Sequence, residues 1–114
     1  LRVRNTSIAS TEPRLTKPTP PEASQDTKRT LAIVNQKGLH ARASAKLAEV
    51  VEAHDARATV SREGLSASGD SIMGLLMLAA SKGTTIEVET RGPEAAKLAQ
   101  ALEDLVANKF GEDF

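Results

Sequence analysis

Gly38-Leu39-His40-Ala41-Arg42-Ala43-Ser44 joins two different patterns of apolar residues. Before it, Thr30 to Asn35 alternates: Leu31 and Ile33 fall on one side, Ala32 and Val34 on the other, which is a strand with Leu31 and Ile33 inward. After it, Ala43, Leu47, Val50 and Val51 recur at helical spacing, which predicts a helix over Ala41 to His54. Lys37-Gly38 marks the loop between them, because glycine adopts positive φ at little cost. His40 is thereby placed at a helix entrance, where free backbone N–H groups and the positive end of the helix dipole face outward. Arg42 adds a fixed cation within one turn, and the N–H groups of Ala41, Arg42 and Ala43 can bind anion oxygens. An imidazole in that setting suits a phosphoryl group held on nitrogen.

The remaining elements follow outward from this junction. Arg57 to Arg62 and Leu65 to Ser68 read as a hairpin around Glu63-Gly64, its second strand weak enough for a sheet edge. Asp70 or Ser71 can cap a short helix over Ile72 to Ala80, loosened by Gly74. Lys82-Gly83 stops it. Thr84 to Thr90 is a clear strand, Ile86 and Val88 inward and Glu87 and Glu89 outward. Gly92-Pro93 opens a last helix with Leu98, Ala101, Leu102, Leu105 and Val106 as its core stripe, ended by Phe110-Gly111. The order β-α-β-β-α-β-α predicts an α+β fold, one antiparallel sheet with its helices on one face. Residues 1–27, with Pro13, Pro18, Pro20 and Pro21 among polar residues, read as a disordered N-terminal extension, and 28–114 as the folded domain.

Composition excludes several functions. Fifteen Lys and Arg balance fifteen Asp and Glu, so no basic excess points to nucleic acid. With two Phe and no Trp or Tyr, base-stacking platforms are absent too. The lack of Cys removes disulfides and thiol nucleophiles, in keeping with a reducing compartment such as the cytoplasm. No apolar run approaches the roughly 20 residues of a membrane span, and Asn5-Thr6-Ser7 stands where a secretory signal needs apolar residues. His40 and His54, at opposite ends of one helix, cannot share a metal within one chain, and no cofactor motif is present. His54 reads as a polar residue at a helix C-terminus. Ser44 lacks the partners of a nucleophilic serine.

These residues resemble the HPr family, the histidine-containing phosphocarriers of the bacterial phosphotransferase system. Gly38-Leu39-His40-Ala41-Arg42 is similar to its active-site motif and Ser71-Ile72-Met73-Gly74 to its regulatory-serine motif. The likeness covers 28–113. Leu75 to Leu78, Ser81-Lys82-Gly83, Ile86 to Glu89, Gly92-Pro93 and Phe110-Gly111-Glu112-Asp113 look closer to the nitrogen-related branch, NPr. The resemblance implies an open-faced sandwich of a four-stranded antiparallel sheet with three helices on one side. It implies a carrier and not an enzyme: His40 takes the phosphoryl group on Nδ1 from enzyme I and passes it to an EIIA-type protein, Arg42 steadies it, and an HPr kinase can target Ser71. Partner docking is expected at Ala45, Lys46, Ile72, Met73, Leu76 and Met77, with Ile72 and Leu75 mostly buried and Met73 and Leu76 at least partly exposed. A monomer making small, transient complexes is expected. The chain departs from the family at Ala43, where Pro is usual. A regulatory binding protein working through Ser71 and the apolar patch is the alternative, and the joint presence of His40 and Arg42 weighs against it. A carrier domain from a larger transport or kinase polypeptide is a third reading.

Overall fold

The computed structural model describes residues 26–114. The stretch read as a disordered extension lies outside the described residues except for Asp26 and Thr27. The elements are β1 (Thr27–Ala32), α1 (Ala41–Glu52), β2 (Arg57–Arg62), β3 (Leu65–Ser68), α2 (Ile72–Met77), β4 (Thr85–Arg91) and α3 (Ala95–Ala107), followed by a 3-10 turn at Lys109–Gly111. The four strands form one sheet in the order β1-β4-β2-β3, antiparallel throughout.

Alternation along the strands builds the two faces. Leu31 pairs with Ile86 and Val60 with Val88, all four buried. With Ala58 they meet Leu47 and Val51 of α1, Leu75 of α2, and Leu98, Leu102 and Val106 of α3 in a single core. The intervening Lys28, Thr30, Glu87 and Thr59 belong to the open face, where Lys28 lies 3.8 Å from both Glu87 and Glu89. This is the open-faced α+β sandwich expected, with β3 at one edge and β1 at the other.

The hairpin has the predicted bounds. Glu63 and Gly64 both have positive φ, as a two-residue turn matched to the strand twist requires. Other boundaries moved, for identifiable reasons. β1 begins and ends three residues earlier than predicted, because β4 offers partners as far as Thr90 to the polar Thr27 and Lys28, which no apolar pattern reveals. Ile33 still exchanges backbone bonds with Thr84 and Gly83, but at Asn35 the chain turns, Gly38 N–H donating to the Asn35 carbonyl. α1 stops at Glu52, where the Ala53 N–H is shared between the Glu49 and Val50 carbonyls and the His54 N–H donates to that of Val51. α2 ends at Met77 and not Ala80. Ala79 takes a left-handed φ of 53°, and the chain swings round so that Leu78 and Ala80 are buried outside the helix. Gly92-Pro93 forms a turn ahead of α3 instead of its first turn: Gly92 has φ 115° and Ala95 N–H closes back on its carbonyl. Gly74, which reads as a helix weakness, has a packing role. A Cβ there would lie 2.9 Å from the Cβ of Ala67, so its absence lets α2 approach β3.

Candidate functional site

Gly38 sets the junction. Its φ is +68°, and an added Cβ would sit 2.4 Å from the Ala80 carbonyl oxygen. The chain can therefore pass close to Ala80, and the Leu39 N–H donates to that same oxygen at 2.8 Å. With Leu39 buried, the next residue is held at the surface. His40 has extended backbone and is the N-cap of α1, without a capping bond from its side chain. The first helical bond runs from Ser44 N–H to the His40 carbonyl at 2.8 Å, so the N–H groups of Ala41, Arg42 and Ala43 precede it. No acidic residue occupies the first turn of α1, which leaves its positive end open to an anion.

His40 is half-buried. Arg42 is exposed and lines the same open groove, together with Gln36, Lys37, Lys46, Gly111, Glu112, Asp113 and Phe114. Ala43 is fully buried, and as the third helical residue its N–H has no acceptor in the ladder, so the family's usual proline would forfeit no helical bond there. Ser44 is buried with its hydroxyl donating to the Leu39 carbonyl at 3.3 Å, away from the histidine. His54 donates from Nδ1 to the Val50 carbonyl at 2.7 Å and finishes α1, as its position predicted.

The C-terminal segment closes the groove, which sequence reasoning missed. Lys109 and Phe110 both take left-handed φ, 58° and 56°, and Phe110 is buried in the core. Together they turn the chain back over α1. Lys46 holds this turn, its Nζ donating to the Phe110 carbonyl at 2.7 Å. Beyond it the Glu112 carboxylate meets the His40 ring at Nε2 through Oε2. Its other oxygen accepts from Asn35 Nδ2 at 3.0 Å, and the same Nδ2 donates to the Gly38 carbonyl at 2.8 Å. Finally, the Gln36 N–H donates to the Phe114 carbonyl. The Asn35 side chain is wholly buried, with Oδ1 unpartnered. The Asn35 hydrogen bond, above all, holds the Glu112 carboxyl below its ordinary range, partial burial opposes this, and the bond and charge of His40 and the charge of Lys37 add to the lowering. The carboxylate is therefore ionised at neutral pH. The only sequence signals for this partner were a polar Asn before a glycine turn and a carboxylate near the end of the chain. Neither points to the other.

The second predicted site is the start of α2. Ser71 is its N-cap and accepts from Gly74 N–H through Oγ at 3.1 Å, while Asp70 instead accepts from the Ser68 hydroxyl. α2 packs against α1 and β3. Leu75 is buried and Leu76 half-buried, whereas Met73 and Met77 are 71% and 73% exposed. Ile72 corrects the expectation of burial, being 41% exposed. It opens a six-residue helix whose inward direction is taken by Leu75, with Leu78 just beyond, and so short a helix has one buried face. Ala45 and Lys46 are half-buried on α1.

Residues 27–108 match the family model described as the PTS HPr component phosphorylation site. The chain belongs to the HPr family. The phosphocarrier protein HPr of Neisseria meningitidis serogroup A is 45% identical over 85 residues, 75% of this chain and 96% of that one. The phosphocarrier protein NPr of Escherichia coli K12 is 39% identical over 87 residues, covering 75% and 97%. Both names thus occur among the relatives, and the higher identity of these two is to HPr, not to the nitrogen branch that several segments resemble. The crystal structure of HPr-C-His from Thermoanaerobacter tengcongensis superposes with a TM-score of 0.74 at 30% identity, covering 77% of this chain and 99% of that one. HPr proteins are phosphocarriers working with phosphotransferase-system enzymes. Among the described residues no helix is long and apolar enough to cross a membrane, and no three His, Cys, Asp or Glu residues are grouped to hold a metal.

Proposed function

We propose that this HPr-family protein is a stoichiometric carrier that receives a phosphoryl group on His40 from enzyme I and delivers it to an EIIA-type protein. The observation that carries the reading is His40 at the uncapped start of α1, in a groove shared with Arg42 and Lys46. Three first-turn N–H groups and the exposed guanidinium supply donors for phosphoryl oxygens. Each such interaction at an exposed helix start is worth about 0.3–1 kcal/mol, which suits a group that must leave as readily as it arrives. In transfer, a ring nitrogen of His40 forms a bond to phosphorus as the donor's bond to phosphorus breaks, the electron pair staying with the donor. The exposed Ile72, Met73 and Met77, with Leu76, Ala45 and Lys46, form the docking face, adaptable because methionine is flexible. Ser71 serves as a regulatory phosphorylation site for an HPr kinase. A phosphate there would add negative charge at a helix start and within the docking face, which favours the helix but repels a phosphorylated partner. The working unit is residues 28–114, a monomer acting in the cytoplasm.

Incubation with phosphoenolpyruvate and enzyme I is expected to give acid-labile, base-stable phosphate on the wild type and none on His40→Ala. Equal labelling of the two would end the carrier reading. Phosphate on the wild type but not on Ser71→Ala, after treatment with an HPr kinase and ATP, tests the regulatory part.

A further inference from the structure

Resting on the carrier reading, we infer that Glu112, clamped by Asn35, is a positioning residue that closes Nε2 of His40 and leaves Nδ1 as the nitrogen that bonds phosphorus. An imidazole has two nitrogens that can attack phosphorus, and a carrier whose partners approach from one side needs only one of them available. The Glu112 carboxylate can only accept, so Nε2 must carry a proton and donate to it. A protonated nitrogen has no lone pair in the ring plane and cannot be the nucleophile. The remaining lone pair is on Nδ1, which has no partner among the described residues. Glu112 cannot rotate away freely. Its second oxygen is held by Asn35, whose amide is buried and whose Nδ2 spends both hydrogens, on Glu112 and on the Gly38 carbonyl. Both partners of Nδ2 are acceptors, which fixes the orientation of the amide. The loop before the histidine and the segment 72 residues after it therefore form one fixture.

The transfer step balances on these atoms. The Nδ1 electron pair forms the N–P bond, and the donor's P–N bond breaks with its pair left on the donor nitrogen. The ring becomes positively charged, its Nε2 proton still shared with the Glu112 carboxylate, which offsets that charge. When the phosphoryl group leaves for the acceptor, the pair returns to Nδ1 and the ring is neutral again without having lost its proton.

The test uses the full chain with two phosphoryl donors. Phosphorylated enzyme I needs docking; phosphoramidate is a small P–N donor that does not. The position of phosphorus on the ring is read by phosphorus-31 NMR on the wild type, Glu112→Ala and Glu112→Gln, the glutamine keeping the volume should the alanine variant fold poorly. The wild type is expected to carry phosphorus on Nδ1 with either donor. Both variants are expected to yield a share of the Nε2 isomer with phosphoramidate. They should also accept phosphoryl groups roughly 10- to 100-fold more slowly at Nδ1 with both donors, the loss of one charge-assisted hydrogen bond. A merely structural role for Glu112 would not move the phosphorus from one nitrogen to the other. Variants that give only the Nδ1 isomer overturn the inference whatever their rate, as does a wild type labelled on Nε2. A wild type labelled by neither donor defeats the carrier reading itself, which separates the two failures.

Discussion

Replacing Gly38 by Ala should be among the most damaging single-methyl additions in this chain, and its cost has separable parts. At φ +68° an L residue pays about 1–2 kcal/mol for the left-handed backbone. The added Cβ also lies 2.4 Å from the Ala80 carbonyl oxygen and 2.8 Å from Ser81 Cα. Both are backbone atoms, so relief requires moving a chain segment, about 1–3 kcal/mol for a forced insertion. That movement stretches the Leu39 N–H to Ala80 bond, which contributes about 1 kcal/mol. The sum is roughly 3–6 kcal/mol. A domain of this size has about 5–10 kcal/mol in all, so the variant should be barely folded at room temperature. Gly64→Ala is the matched control: its φ is +83°, but nothing lies within 4 Å of the added Cβ, so it should lose only the backbone part. Urea unfolding of both variants, followed by circular dichroism, gives the two losses with the slopes that check two-state behaviour. If Gly38→Ala loses no more than Gly64→Ala, the close approach to Ala80 contributes nothing and the account of how His40 is held at the surface is wrong.

Glu112 makes the fold pH-dependent in a definite direction. Its folded-state carboxyl is lowered from 4.5, so its contribution is present above that value and lost as pH falls through the folded value. The stability difference between wild type and Glu112→Gln in urea should accordingly be larger at pH 7 than at pH 3; no change with pH would contradict the ionised partner of Asn35 and His40. Ser71→Ala removes the cap of α2 and should cost about 0.5–2 kcal/mol, with faster amide exchange at Gly74 as its local mark. Phe110→Ala should cost about 3–5 kcal/mol by emptying a buried site and, by loosening the turn that carries Glu112, should also slow phosphoryl acceptance. Met73→Lys should leave stability within about 0.5 kcal/mol while raising the concentration of phosphorylated enzyme I needed for half-maximal transfer; an unchanged concentration dependence would remove Met73 from the docking face.

The parts of the fold that were legible in the sequence are those governed by local periodicity. Leu31 with Ile33, Ile86 with Val88, and Leu98, Leu102 and Val106 each announce an inward face because one side of a strand or helix must be dry. The Glu63-Gly64 turn was legible because few residues accept its backbone. The positions of His40 and Ser71 at two helix starts, with Arg42 in the first turn, were legible from the glycine turn and the capping pattern. What stayed hidden depends on partners distant in sequence. Thr27 and Lys28 are strand residues only because β4 is beside them. Ile72 is exposed because α2 ends after six residues, and it ends there because Ala79 must turn to bring Ala80 against Gly38. Asn35 and Glu112 have no shared pattern at all. Their meeting is produced by two left-handed residues, Lys109 and Phe110, of types that do not ordinarily signal such a turn.

The return of the C-terminal segment over α1 has a consequence during synthesis. His40 leaves the ribosome 72 residues ahead of Glu112, an interval of roughly 4–15 s at 5–20 residues per second. The central strand β4 is also late, so β1 and β2 wait for the strand that joins them. Until Arg91 has been made a nascent chain has its histidine but not the complete sheet beneath α1, and throughout the interval it lacks the carboxylate on Nε2. A chain released early, short of Glu112, would still contain Gly38 to Arg42, yet with both ring nitrogens of His40 open. Translation finishes the surroundings of His40 from the far end.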